Sequence, residues 1–247
     1  GRTWTRSLFV DEWTGVVDLV MDPADSRILY AAARERDRKA WNNTVCGPGS
    51  GIYRTTDGGG SWTRLKNGLP AGPFIGRIGL DVCPAAPGVV YAVIDNLTPV
   101  PAPPGRKAGP VPAGGEIYRS DDRGDSWRKV NEGDLAAGTG YAFGDIRVSP
   151  KDPDVVYVLG VGLVRSADGG RTFTRVDGPV VRLSPLPTRA LHLDQHELWI
   201  DPRDPDRLVL GNDGGLFVSN DGGRAWLHLN NLPITEFYAA FAGPGSP

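Results

Sequence analysis

Gly51-Ile-Tyr-Arg-Thr-Thr-Asp-Gly-Gly-Gly-Ser-Trp-Thr-Arg-Leu65 decides the fold, because the chain writes it repeatedly. Later copies are Glu116-Ile-Tyr-Arg-Ser-Asp-Asp-Arg-Gly-Asp-Ser-Trp127, Leu163-Val-Arg-Ser-Ala-Asp-Gly-Gly-Arg-Thr-Phe173 and Leu216-Phe-Val-Ser-Asn-Asp-Gly-Gly-Arg-Ala-Trp226. The chain also opens on Gly1-Arg-Thr-Trp4, the tail of a fifth copy. In each full copy an apolar run leads to Ser or Thr; Asp follows two residues on, Gly two further, and an aromatic three after that. The apolar run reads as a strand. Asp-x-Gly reads as a turn whose carboxylate accepts from nearby backbone N–H groups while Gly takes positive φ. The aromatic starts the return strand, so the unit is a β-hairpin with a self-sealed tip.

A second element recurs between the hairpins. Val16-Val-Asp-Leu-Val-Met-Asp-Pro23 precedes Ile28-Leu-Tyr-Ala-Ala-Ala33, and Ile78-Gly-Leu-Asp-Val-Cys-Pro84 precedes Val89-Val-Tyr-Ala-Val-Ile94. Asp145-Ile-Arg-Val-Ser-Pro150 precedes Val155-Val-Tyr-Val-Leu159, and Glu197-Leu-Trp-Ile-Asp-Pro202 precedes Leu208-Val-Leu210. Each is strand, turn, strand, with a proline that cannot donate to a ladder ending the first. The full repeat therefore has four strands and recurs at the spacing of propeller blades.

The expected fold is all-β: a propeller of four four-stranded blades, at about 14–66, 75–131, 142–177 and 194–230. Lone strands at 1–10 and 235–242 make partial blades at both ends, so residues 1–247 read as one propeller region and as a piece of a larger one. Two blades carry insertions: Arg34–Ser50, polar and containing Trp41, and Asn96–Gly115, rich in Pro, Gly and Ala and read as a solvated loop. Such loops share one rim, where they shape a binding surface or are merely tolerated.

Composition fits. The 247 residues include 34 Gly, 22 Pro and one Met, and carry a net charge of −2. That charge gives no attraction to nucleic acid or anionic membrane, and no window is apolar enough to span a bilayer. Cys46 and Cys83 match no metal spacing and read as two small thiols, or as a disulfide in an oxidising compartment.

Three sets of residues could carry chemistry. The turn aspartates Asp57, Asp122, Asp168 and Asp221 are structural by their place in hairpin tips. His192-Leu-Asp-Gln-His196, if extended, puts His192, Asp194 and His196 on one side, a set suited to a divalent metal. Parity instead places His196 with Leu198 and Ile200 on the apolar face, as a core histidine bonded to Asp194. Counting back five from each strand-ending proline gives Asp18, Gly79, Asp145 and Glu197. Paired acids in a channel are what glycoside hydrolysis needs; the alternative is that they bond backbone or Arg77 and Arg147. No other cofactor motif is present.

The Ser/Thr-x-Asp-x-Gly-x-x-aromatic spacing resembles the Asp-box, or BNR, repeat of sialidase-like, xyloglucanase-like and sortilin-like β-propellers. The likeness extends to Phe9-Val-Asp-Glu-Trp-Thr-Gly15, Asp18-Leu-Val-Met-Asp-Pro23 and Gly47-Pro-Gly-Ser-Gly-Ile-Tyr53, and to His192–Pro202, Gly211-Asn-Asp-Gly-Gly215 and Asn230-Asn-Leu-Pro-Ile234. These stretches are similar to secreted bacterial BNR-repeat or sortilin-like glycosyl hydrolases. The resemblance implies an exported protein, extracellular or periplasmic, with further blades after Tyr238. It implies a carbohydrate ligand or substrate, or else a non-catalytic propeller for protein or peptide ligands. An arginine triad of the sialidase kind is not established by Arg77, Arg147 and Arg189, and the catalytic aspartates of xyloglucanases have no motif-level counterpart.

Overall fold

The computed structural model describes residues 1–102, 104–105, 109–135, 144–178, 180–182, 191–231 and 236–239, and among them no helix occurs. The first sheet pairs β1 (Thr14–Met21), β2 (Leu29–Glu35), β5 (Gly51–Thr55) and β6 (Thr63–Arg64) in that order; a separate hairpin, β3 (Asp37–Lys39) with β4 (Asn42–Thr44), fills the first insertion. The second sheet runs β7 (Ile75–Val82), β8 (Val90–Val100), β9 (Val111–Ser120), β10 (Arg128–Lys129). The third runs β11 (Asp145–Val148), β12 (Val156–Leu159), β13 (Leu163–Ser166), β14 (Thr174–Arg175).

The fourth sheet departs from the expected four strands. Beside β16 (Gln195–Ile200), β17 (Leu208–Asn212), β18 (Gly215–Ser219) and β19 (Trp226–His228) it takes β15 (Val180–Arg182), which pairs parallel with β19. Two other expectations are corrected. Residues 1–10 and 236–239 lie along the sheets without forming strands, and 235 and 240–242 fall outside the described residues. The second insertion is no free loop at its base: β8 and β9 continue their ladder to Pro99↔Pro112 and Val100↔Val111. Both thiols are unbonded, with Cys83 buried.

The repeat turns form as their sequence dictates. Ser166 Oγ donates to Asp168 Oδ1 at 2.8 Å and accepts from Gly170 N at 2.9 Å, while Asp168 also takes Thr172 N at 2.9 Å and Thr172 Oγ1 at 2.6 Å. The same bonds recur around Asp57 and Asp122. Gly59, Gly124, Gly170 and Gly223 stand at φ of 95°, 87°, 88° and 91°, where a side chain is strained.

Alternation along the strands then builds the core. One face of the first sheet (Tyr30, Ala32, Ile52) packs on Ile78, Leu80 and Val82 of the second. The far face of the second (Tyr91, Val93, Ile117) packs on Ile146 and Val148 of the third. Tyr157, Leu159 and Leu163 of the third pack on Leu198, Leu210 and Trp226 of the fourth. Three tyrosines staple the interfaces: Tyr30, Tyr91 and Tyr157 donate to the carbonyls of Arg123, Pro153 and Gly222 in the next sheet, at 3.0, 2.9 and 3.3 Å. The first strands β1, β7, β11 and β16 consequently lie side by side in chain order.

Candidate functional site

Antiparallel pairing sorts the connections into two ends. The proline turns and the Asp turns lie at one end of every sheet; the insertions and the links entering β1, β7 and β16 lie at the other.

The side-by-side first strands bring the predicted carboxylates into one charged ladder, each already engaged. Asp18 accepts Leu80 N of the second sheet at 2.7 Å and Leu19 N at 2.8 Å. Asp145 takes Arg77 Nη2 at 3.2 Å, and Glu197 takes Arg147 Nη2 at 2.7 Å, Arg147 Nε at 3.0 Å and Leu198 N at 3.1 Å. Arg189 lies outside the described residues. Burial pushes the Asp18 carboxyl above its ordinary pKa, against the Leu80 N–H that lowers it.

Sequence reading missed Asp81, three residues before its proline. Asp81 accepts Val82 N at 2.9 Å and Val148 N of the third sheet at 2.7 Å. Burial pushes its pKa up to about 6 even though Arg147 opposes the rise. Asp81, Arg147, Glu197 and Trp199, with Pro150 and Pro202, line a groove of about 390 Å³ across three sheets.

The histidine triplet does not assemble. Asp194 has φ of 66°, so the chain turns there instead of running extended from His192. His196 is buried and its Nε2 lies 2.6 Å from Asp213 Oδ1, so the partner is Asp213 and not Asp194. Asp213 comes from the Asn212–Gly215 turn that closes β17 onto β18, opposite the start of β16. The Tyr238 ring covers His196 at 4.1 Å between centroids. Among the described residues no three His, Cys, Asp or Glu side chains converge to hold a metal.

The insertion end carries four exposed aromatics, and Trp4 and Phe9 of the N-terminal tail are 91% and 61% exposed as well. Trp41, 84% exposed, caps the β3–β4 hairpin; Trp13, 50% exposed, precedes β1, with Lys39 Nζ of β3 5.0 Å from its ring centroid. Phe74 and Tyr238 stand exposed at the same end. The proline and Asp-turn end keeps its repeat aromatics Trp127 and Trp226 buried.

Four sheets stacked face to face, with their first strands adjacent, have the layout of a β-propeller. Known proteins agree. The chain is 26% identical to a xyloglucanase of Acetivibrio thermocellus over 257 residues, covering 93% of this chain and 28% of that one. It is 24% identical to a xyloglucanase of a Paenibacillus species over 227 residues, covering 85% of this chain and 20% of that one. The solved xyloglucanase from Xanthomonas campestris superposes with a TM-score of 0.56 at 21% identity, covering 92% of this chain and 32% of that one. No protein-family model matches the chain. The chain thus spans 28% and 20% of the lengths of the two curated relatives. No helix among the described residues is long and apolar enough to cross a membrane.

Proposed function

We propose that this chain is part of a secreted Asp-box propeller, extracellular or periplasmic, that binds carbohydrate at its insertion-bearing end. The observation that carries the reading is Trp41. A tryptophan 84% exposed at the tip of a polar two-stranded hairpin serves no core. Its flat apolar face suits the C–H face of a sugar ring. Around it Asp37, Lys39 and Asn42, already joined by hydrogen bonds, supply the polar groups that sugar hydroxyls exchange with. Trp13 beside Lys39 extends the platform. Two relatives named xyloglucanase support xyloglucan as the ligand class.

The bonding of Asp18, Asp145 and Glu197 favours binding without hydrolysis by these groups. A hydrolytic pair needs one carboxyl free to donate a proton and one free to act as base or nucleophile. Here backbone N–H groups and two arginines occupy all three. A non-catalytic propeller for protein or peptide ligands, of the sortilin-like kind, is the second reading, favoured by the same observation.

Titration calorimetry of the chain with xyloglucan oligosaccharides tests the first reading. Trp41→Ala and Trp13→Ala are each expected to weaken binding about tenfold, or about 1.4 kcal/mol, with Tm unchanged. Equal affinity in parent and variants, or no oligosaccharide binding by the parent, refutes it.

A further inference from the structure

A cavity of about 300 Å³ lies between the first and second sheets at the insertion end. Ile52, Ile75, Ile78 and Ile94, each 1% exposed, make its floor, and Leu65 and Leu69 of the link into β7 make its wall. That link is pinned at both sheets. Leu65 N donates to Ile52 O at 2.8 Å, Leu69 N to Lys66 O at 3.2 Å, and Trp127 N of the second sheet to Asn67 O at 3.0 Å. Gly68, at φ of 81°, lies so near the second sheet that a Cβ there would stand 1.9 Å from the Trp127 carbonyl oxygen. The cavity is therefore preformed, and its walls need not move to admit a guest.

Two cations line it, Arg64 and Lys66, and among the described residues no carboxylate does. The other repeats show what this one lacks. Arg64, Lys129 and Arg175 each stand two residues after the repeat aromatic and pair in one register, with Tyr53, Tyr118 and Val164. In the second sheet Glu116 neutralises the cation, its Oε1 accepting from Lys129 Nζ at 2.7 Å. In the third, Asp177 Oδ2 accepts from Arg175 Nε at 2.8 Å. The first sheet has neither acid. Gly51 stands in the place of Glu116, two residues before the strand tyrosine, and Lys66 in the place of Asp177, two after the cation. Arg64 Nη2 donates instead to the Ser50 carbonyl at 2.6 Å, and its guanidinium lies over Gly51, where a Cβ would stand 2.8 Å from Nε. Among the described residues no carboxylate pairs with Arg64 or Lys66.

We propose that this cavity binds a small apolar carboxylate, its chain on the isoleucine floor and its charge between Arg64 and Lys66, where the other repeats supply an acid of their own. Each half of such a ligand meets its complement. The chain gains from leaving water for the apolar floor, and the carboxylate gains charge-assisted hydrogen bonds from cations that lack a counter-ion. Volume sets the size: at about 30 Å³ for a water in the liquid, the space holds about ten non-hydrogen atoms, which is an eight-carbon acid. The site shares no residue with the Trp41 and Trp13 platform.

Titration calorimetry of the chain with octanoate tests the proposal, with octanol as the uncharged control. Octanoate is expected to saturate a single site and to bind about fivefold more tightly than octanol. Lys66→Asp gives Arg64 the acid that Arg175 has, and is expected to remove that preference with Tm unchanged. Ala71→Trp, at the exposed rim of the cavity, is expected to abolish the binding of both probes. Trp41→Ala should leave octanoate binding as it is, so this proposal and the sugar reading fail separately. No saturable octanoate binding, equal affinity for the two probes in the parent, or a preference that persists in Lys66→Asp overturns the proposal. Octanoate binding that survives Ala71→Trp places the acid elsewhere and overturns it too.

Discussion

The fourth repeat turn lacks one atom that the other three have, and restoring it should stabilise the protein. Ser61, Ser126 and Thr172 each donate a hydroxyl to the second oxygen of their turn aspartate, at 2.7, 2.5 and 2.6 Å. The fourth turn has Ala225 at that place. Its backbone is already in position, because Ala225 N reaches Asp221 Oδ1 at 3.0 Å, against 2.9 Å for the N–H groups of the other three. Ala225→Ser therefore adds a hydroxyl with nothing to rearrange. A hydrogen bond to a charged group contributes about 1.5–3 kcal/mol. The solvent around this turn and the rotamer fixed reduce that to about 0.5–1 kcal/mol. Such a gain raises Tm by about 1–4 °C in a domain of this size. Urea and thermal melts at pH 7 read the change, and the Asp221 carboxyl, already below its ordinary pKa, should fall further. A variant no more stable than the parent, with Asp221 titrating as before, would refute the claim that the hydroxyl contributes to the turn.

Thr172→Ala should do the reverse in the third turn. The Thr172 hydroxyl and the bonds around it hold Asp168 at about 2, below its unfolded value. Its contribution is thus present above the ordinary carboxylate pKa and lost as pH falls toward 2, so the Tm difference between parent and variant should close in acid. Gly170→Ala should cost about 2 kcal/mol or more in denaturant melts, since it meets both a φ of 88° and Val130. Arg147→Met removes the cation shared by Glu197, Asp81 and Asp145; the pair is only partly exposed, and the expected loss is about 2–3 kcal/mol at pH 7. Part of that loss should return near pH 5. Asp81 has a folded pKa above its unfolded one, so the folded state binds more protons there and stability rises as pH falls.

What the sequence made legible was local. The turn at Asp57 closes within seven residues, and every partner it needs is in the motif. The strand ends before Pro23, Pro84, Pro150 and Pro202 are equally local, since a missing N–H acts on its own ladder. What stayed hidden depends on residues far apart in the chain. β15 joins a sheet through β19, whose paired residues lie 46 positions on, in the parallel sense that no hairpin signal announces. His196 finds Asp213 because β16 and β17 pair with a bulge at His196, and a bulge shifts side chains that parity would assign. Asp81 passed as an ordinary strand residue because its partner, Val148 N, belongs to the next sheet. Trp41 was visible in the insertion, but only the β3–β4 pairing shows that it stands clear of any core.

A repeated chain also serves as its own control. Positions filled alike in every repeat meet a demand that every repeat has, and that demand is the fold. The turn aspartates obey this rule: at all four, the Ser or Thr hydroxyl two residues earlier donates to the carboxylate. By the same logic, three carboxylates at one register position point to a shared structural demand. Their bonds to Leu80 N, Arg77 and Arg147 agree. Ligand specificity has to sit where the repeats differ. In this chain they differ at the insertion end: in the hairpin that carries Trp41, in Trp13 beside it, and in the buried His196–Asp213 pair under Tyr238. That end, and not the acidic ladder, is where a sugar should be sought.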